Sequence, residues 1–201
     1  MIYPCMCNRC IMHKKELRKK LLQSRELLAE DYRAEAGKAI CQKVLSMPSF
    51  VNSKCVLCYV SFRSEVDTRE ILGFCFSSGK TVYCPKVLGP HEMAFYRVRD
   101  WKDLEPGAYG ILEPKDCSLD NRFQDTDAEK TCILVPGAGF DYEGYRIGYG
   151  GGYYDAYLCS HPIGCRIGLC YGTQMVLALE TEPTDQKVDY VITEKEVYKS
   201  V

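Results

Sequence analysis

The sequence predicts an α/β fold, a three-layer single domain with a mostly parallel central sheet and helices on both faces. Three observations predict it. Short apolar runs, such as residues 54–62 and 132–136, alternate with stretches of helical periodicity. Polar or Gly-rich segments directly follow two of those runs, at 63–67 and 136–152, where parallel strands present ligand loops at their carboxyl ends. A chain of 201 residues suffices for one such domain with a sizeable core.

The elements follow in order. Residues 1–12 read as an N-terminal extension, and 13–201 as the domain. Residues 13–47 read as two helices. Leu17, Leu21, Leu22, Leu27 and Leu28 mark an apolar face, which Ile40, Val44 and Leu45 continue, and Pro48 ends the segment. Lys14, Lys15, Arg18, Lys19 and Lys20 make the first helix basic, for the most part a solvated face. Residues 54–62 are a buried strand. Thr68 is an N-cap for a helix over 69–77, closed by Gly79. Strands follow at 81–85 and 92–98. Residues 107–114 form an ordered loop, and 115–130 are polar and exposed. Further strands lie at 132–136, 165–171 and 190–193, with a helix opening at Asp155.

Composition narrows the function. Net charge is −1, with 46% hydrophobic and 26% charged residues, so no general attraction to nucleic acid or anionic membrane is expected. No run of 18 apolar residues predicts a transmembrane span, and no apolar h-region predicts a signal peptide. The thirteen cysteines are odd in number and scattered through apolar runs, as small core residues in a reducing, cytoplasmic compartment would be. Cys55 and Cys58 form a CxxC on a strand, where residues three apart face opposite sides, which argues against joint metal binding. Cys5, Cys7 and Cys10, with His13, have zinc-site spacing, but the further CxxC, Cys55 and Cys58, is on a strand that splits its two thiols and so does not close the set.

The densest chemical signal is Arg146-Ile147-Gly148-Tyr149-Gly150-Gly151-Gly152-Tyr153-Tyr154-Asp155. Glycines let the backbone approach an anion with its N–H groups, and the helix that follows adds its positive end. Arg146 suits phosphate oxygens, and Asp155 suits Mg²⁺. The plain alternative is a Gly-rich surface turn. Walker A fails for want of Lys and Ser/Thr, and the dinucleotide pattern fails at Tyr153.

Six segments in order resemble the 5-formyltetrahydrofolate cyclo-ligase family. They are Lys14-Lys15-Glu16-Leu17-Arg18, Ser64-Glu65-Val66-Asp67-Thr68, Gly110-Ile111-Leu112-Glu113-Pro114, Val135-Pro136-Gly137-Ala138-Gly139-Phe140-Asp141, the Gly loop, and Asp185-Gln186-Lys187-Val188-Asp189. The resemblance implies a ligase that uses ATP and Mg²⁺ to cyclise 5-formyltetrahydrofolate to 5,10-methenyltetrahydrofolate. Through it, Lys14, Arg18 and the loop from Arg146 to Tyr154 would bind ATP. Arg146 and Asp155 would serve catalysis. Val60, Glu65 and Tyr153 would bind folate, and Asp155 with Asp185 would hold Mg²⁺, Asp189 being an alternative to Asp185. A monomer is expected. The family often has basic residues inside the Gly loop, where Tyr149 and Gly151 stand here. Three readings compete: a folate- or nucleotide-binding protein without turnover, an enzyme of phosphosugars or CoA esters, and a zinc-linked interaction protein.

Overall fold

In the computed structural model, residues 13–107 and 110–200 are described. Five helices are present among them: α1 (Lys14–Glu26), α2 (Glu30–Ser46), α3 (Pro48–Val51), α4 (Arg69–Ser78) and α5 (Tyr153–Ser160). The strands are β1 (Cys55–Cys58), β2 (Thr81–Gly89), β3 (Glu92–Val98), β4 (Leu104–Pro106), β5 (Leu112–Pro114), β6 (Thr131–Pro136), β7 (Gly139–Asp141), β8 (Arg146–Ile147), β9 (Cys165–Leu169), β10 (Met175–Val176), β11 (Tyr190–Ile192) and β12 (Val197–Lys199).

Seven strands make the central sheet in the order β12-β11-β9-β6-β1-β2-β3. The inner pairs from β11 to β2 are parallel, while β12 and β3 close the two edges antiparallel. Side chains alternate across the strands, and that alternation builds two cores. Val56, Cys58, Cys132 and Leu134 face α2 and α4 through Ile40, Val44, Ile71 and Leu72. Cys55, Leu57, Ile133 and Val135 face Phe140, Tyr157 and Leu158, beneath α5. The mostly parallel three-layer α/β fold is therefore present. Cys55 and Cys58 also lie on opposite faces, as their spacing predicts.

Several boundaries differ from the sequence reading. β1 stops at Cys58, because residues 59–68 leave the sheet to form a loop tied by the Thr68 hydroxyl to the Tyr59 carbonyl at 2.8 Å. Thr68 stands at the N-cap of α4 and its carbonyl accepts from Leu72 N at 2.9 Å, but its side chain caps no helix N–H; Asp67 Oδ1 accepts from Arg69 N instead. Pro48 opens a short helix rather than only ending one, since its missing N–H costs nothing at that position. Leu27 is 86% exposed at the C-cap of α1, so it leaves the apolar face on which Leu17, Leu21 and Leu22 pack. The loop over 107–114 includes β5, which pairs with β4, and the polar segment 115–130 buries Phe123 against Tyr83. The cysteine triad Cys5, Cys7 and Cys10 lies outside the described residues.

Candidate active site

β6 ends at Pro136, and the chain turns into the small sheet β10-β7-β8 over the carboxyl end of the parallel strands. Pairing of β8 with β7 sets Phe140 opposite Arg146 and aims the Gly loop back over the sheet. Gly150 (φ 109°) and Gly152 (φ 66°) hold conformations that a side chain would strain. α1 lies alongside, its Leu21 packed with Ala138 and Ile147. This packing brings the cations of α1 to the loop: Arg18 Nε donates to the Gly148 carbonyl at 2.7 Å. Lys14 Nζ meets Asp185 Oδ2 at 2.7 Å and Glu182 at 3.6 Å. Burial by itself would lower the Lys14 ammonium, but Asp185 and Glu182 outweigh it and hold the group above its ordinary value. A cavity of about 500 Å³ opens between these groups, lined by Lys14, Arg18, Gly150, Asp155 and Asp185 and closed at one end by the start of α5.

A second cavity of about 540 Å³ lies on the other side of the loop. Its walls are largely apolar, with Val60, Phe62, Met93, Leu112 and Tyr153 among them. Glu26, Glu65 and Glu113 all border it, and Glu65 is the one held at both oxygens. Glu65 Oε2 accepts the Phe62 N–H at 2.9 Å, and Oε1 accepts the Tyr149 hydroxyl at 2.5 Å. Burial pushes the Glu65 carboxyl up, against the pull of Tyr149, the Phe62 N–H and the Arg25 charge. Such a cavity, apolar with a few fixed polar groups, is the usual form of a small-molecule site.

Arg146 lines both cavities. Its side chain is 3% exposed and bonds Asp155 Oδ2 through a terminal nitrogen at 2.8 Å. The guanidinium carbon lies 5.4 Å from the centre of the Tyr154 ring. Burial lowers the Arg146 guanidinium from its ordinary value, and Asp155 opposes that shift. Arg146 Nε and the Tyr154 hydroxyl are buried with no hydrogen-bond partner among the described residues. Buried polar groups without a partner are uncommon, and both of these residues border the apolar cavity.

The model of the 5-formyltetrahydrofolate cyclo-ligase family matches residues 11–194. The chain belongs to this family. A probable 5-formyltetrahydrofolate cyclo-ligase of Schizosaccharomyces pombe is 30% identical over 94% of this chain and 99% of its own length. The cyclo-ligase of Escherichia coli K12 is 29% identical over 88% of this chain and 98% of its own. Among solved structures, the 5,10-methenyltetrahydrofolate synthetase of Aquifex aeolicus superposes with a TM-score of 0.80 at 36% identity, covering 94% of this chain and 93% of its own.

Within this cyclo-ligase-family chain, the residues singled out in the sequence converge. Lys14, Arg18, Arg146, Gly148, Gly150, Gly152, Asp155 and Asp185 border the cation-lined cavity, while Val60, Glu65, Tyr149, Tyr153 and Tyr154 border the apolar one. Gly148, Gly152 and Arg146 touch both. Ile147 packs with Leu21 under the loop, so the loop can use its backbone but not its side chain. Asp189 lies elsewhere, its carboxylate accepting from Arg166 N at 2.7 Å beside β9. Sequence reasoning missed Arg25, which bonds Tyr149 and Ser64, and His91, whose Nδ1 lies 2.7 Å from the Gly151 carbonyl. A signal for Arg25 exists: positions 14, 18, 21 and 25 step by 4, 3 and 4, one face of a helix. No local signal marks His91, which arrives through the β2–β3 turn.

The carboxylates suit Mg²⁺. They offer hard oxygen donors beside a cation-lined cavity; each Asp155 oxygen accepts one bond and keeps a lone-pair site, whereas Asp185 Oδ2 already accepts from Lys14 Nζ and the Glu182 N–H, so Asp185 would offer its other oxygen. Asp155 Oδ1 meets Gln186 N at 3.3 Å, and Asp185 Oδ2 meets Glu182 N at 2.8 Å. Among the described residues no group of three or more His, Cys, Asp or Glu forms a protein-only cage.

Proposed function

We propose that this chain uses ATP to close 5-formyltetrahydrofolate to 5,10-methenyltetrahydrofolate, releasing ADP and phosphate. The observation that carries the reading is the meeting of two cavities at one buried guanidinium, Arg146, in a chain of this family. One cavity presents cations and loop N–H groups, as a triphosphate requires. The other presents an apolar wall and one fixed carboxylate, as a pterin requires.

The chemistry explains the arrangement. A formamide oxygen leaves poorly and its carbon is a weak electrophile. The oxygen therefore attacks the γ-phosphorus, the bond to the β-phosphate oxygen breaks, and ADP departs. The activated carbon, now iminium-like toward N5, is attacked by the N10 lone pair. N10 loses its proton, the carbon–oxygen bond breaks, and phosphate leaves with the formyl oxygen. Both nucleophiles belong to the substrate, so the protein needs no Ser, Cys or His nucleophile. Its contribution is positioning and charge stabilisation.

Lys14 and Arg18 would neutralise the nucleotide phosphates, with the loop N–H groups and the start of α5 supplying further donors. Arg146, between the cavities, would meet the oxygen that bears developing charge. Glu65 would accept the paired N–H groups of a 2-amino-4-oxo pterin edge, with Val60 and Tyr153 against the ring. Asp155 and Asp185 would hold Mg²⁺, which supplies charge neutralisation for phosphoryl transfer. The test is direct: purified protein with Mg-ATP and 5-formyltetrahydrofolate should produce the methenyl-folate absorbance together with ADP. Binding of both ligands without turnover would replace this reading with a non-catalytic holder.

A further inference from the structure

Tyr149 stands in the Gly loop, between Gly148 and Gly150, which border the cation-lined cavity, yet its own side chain borders the apolar one. Its hydroxyl donates to Glu65 Oε1 at 2.5 Å and accepts from the Arg25 guanidinium at 2.7 Å. Arg25 is 5% exposed and is itself fixed by a bond from Nε to the Ser64 hydroxyl at 3.0 Å. Its guanidinium carbon sits 5.6 Å from the centre of the Tyr149 ring. The residue before Tyr149 is held in turn, because the Gly148 carbonyl accepts from Arg18 Nε at 2.7 Å. A continuous run of contacts thus joins Arg18 in the cation-lined cavity to Glu65 in the apolar one.

We propose that Tyr149, braced by Arg25, is the positioning residue of Glu65, so that the Gly loop serves folate recognition through this side chain as well as phosphate binding through its backbone. The proposal rests on the reading of Glu65 as the carboxylate that meets the pterin. A carboxylate has about four lone-pair sites. The Phe62 N–H takes one site on Oε2 and the Tyr149 hydroxyl takes one on Oε1. One site on each oxygen remains, which is what two parallel N–H donors need. Held at both oxygens, the carboxylate cannot rotate out of the plane that a bidentate partner requires. Arg25 orients the phenol: with its lone pair taken by the guanidinium, the hydroxyl proton is directed to Glu65.

The groups that face Glu65 come from several elements. Arg25 arrives from α1, Tyr149 from the Gly loop, Tyr154 from α5 and Tyr59 from its own segment, and the Tyr171 hydroxyl bonds the Glu65 carbonyl at 3.4 Å. Among the described residues, Tyr149 and Arg25 supply the side-chain stabilisation of the ionised form. Deleting the Tyr149 hydroxyl therefore makes the carboxylate harder to ionise as well as less fixed.

The experiment compares the parent with Tyr149→Phe, Glu65→Gln and the double variant. Binding of 5-formyltetrahydrofolate is measured across pH, and a non-hydrolysable ATP analogue is titrated separately. Tyr149→Phe keeps the ring and should keep the fold. Expected is a loss of folate affinity of roughly tenfold, as for a hydrogen bond to a charged group. The acid limb of the affinity profile should move to higher pH, ATP-analogue affinity should stay at the parent value, and the double variant should be no worse than Glu65→Gln. A merely structural role would not move the acid limb. Tyr149→Phe with the parent's affinity and profile, beside a weakened Glu65→Gln, overturns the proposal alone. Tighter folate binding by Tyr149→Phe makes the phenol a competitor and overturns it too. Parent affinity in Glu65→Gln overturns the reading of Glu65, and the proposal with it.

Discussion

Glu65 is kept in a place that raises its pKa, and the cause is burial only partly offset by Tyr149, the Phe62 N–H and Arg25. The folded state then binds a proton more tightly than the unfolded chain. Stability contributed at this site is present below the ordinary carboxylate value and falls as pH rises through the raised one, so the ionised form strains the empty protein at neutral pH. Glu65→Gln should therefore raise the melting temperature at neutral pH, with the gain vanishing in acid. The same change should weaken folate binding by about 1.5–3 kcal/mol, the value of a hydrogen bond to a charged group. Thermal melts and folate titrations across pH decide it, and a variant that loses stability at neutral pH contradicts the argument. Arg146 calls for a different variant. Truncation to Ala would strand Asp155 and cost stability on the order of 3 kcal/mol, which confuses the readout. Arg146→Lys keeps the charge but loses the planar fork. A fall in kcat of about 10–100-fold is expected if this group meets the transferring phosphoryl, with most of the loss in KM for ATP if it only anchors the ground state. Steady-state kinetics with both substrates separate the two, and unchanged kcat and KM would remove Arg146 from the site.

The Gly loop and α5 work as one element. Gly152 carries φ 66° and ψ 8° at the N-cap of α5, and its carbonyl accepts the first helical bond from Ala156 N at 3.0 Å. Space is not the constraint, since an added Cβ would meet His91 Nδ1 only at 3.5 Å. The constraint is the left-handed backbone, which costs an L side chain about 1–2 kcal/mol. Gly152→Ala can relax in the free loop but must pay when phosphates fix it. Affinity for an ATP analogue should fall roughly 5–30-fold, the equivalent of that strain. Calorimetric titration checks this, and parent affinity would show that the loop does not clamp phosphate in the observed shape. This element was legible in the sequence because glycine spacing writes backbone conformation directly. Asp155 was legible with it, although the helix opens at Tyr153, two residues before the sequence reading. The Tyr149–Glu65–Arg25 contact was not legible. It joins residues 84 and 124 positions apart, and only the docking of α1 against β8 brings them together. β7, β8 and β10 escaped for a related reason, being two or three residues long and defined by their pairing rather than by any period.

At the scale of the molecule, the alternation of apolar runs and helices specified the central sheet, because strands buried on both faces must be apolar throughout. The edges carried less information, since β3 and β12 each pair with one strand of the sheet, β3 adding a single bridge from Tyr96 to Arg122, and their direction depends on turns. The cysteines belong to this scale as well. The ten in the described residues are thiols, eight of them buried in the two cores on either side of the sheet. Burial pushes Cys41 and Cys75 up to about 12, so these thiols are poor nucleophiles. Cys159 differs: it is exposed on α5 and lies in the wall of the cation-lined cavity, whereas Cys117 is half-buried and borders neither cavity. A thiol reagent used on the native protein should therefore modify Cys159 and Cys117 well before the core cysteines. Mg-ATP should slow modification of Cys159, because nucleotide phosphates held by Lys14, Arg18 and the Gly loop would lie against the same wall. It should leave Cys117 at its original rate, which makes Cys117 the control for a general tightening of the fold. Peptide mass spectrometry after timed labelling reads both sites in one sample. Equal protection of the two would mean that nucleotide acts through overall stability, and no protection of Cys159 would place the nucleotide outside this cavity.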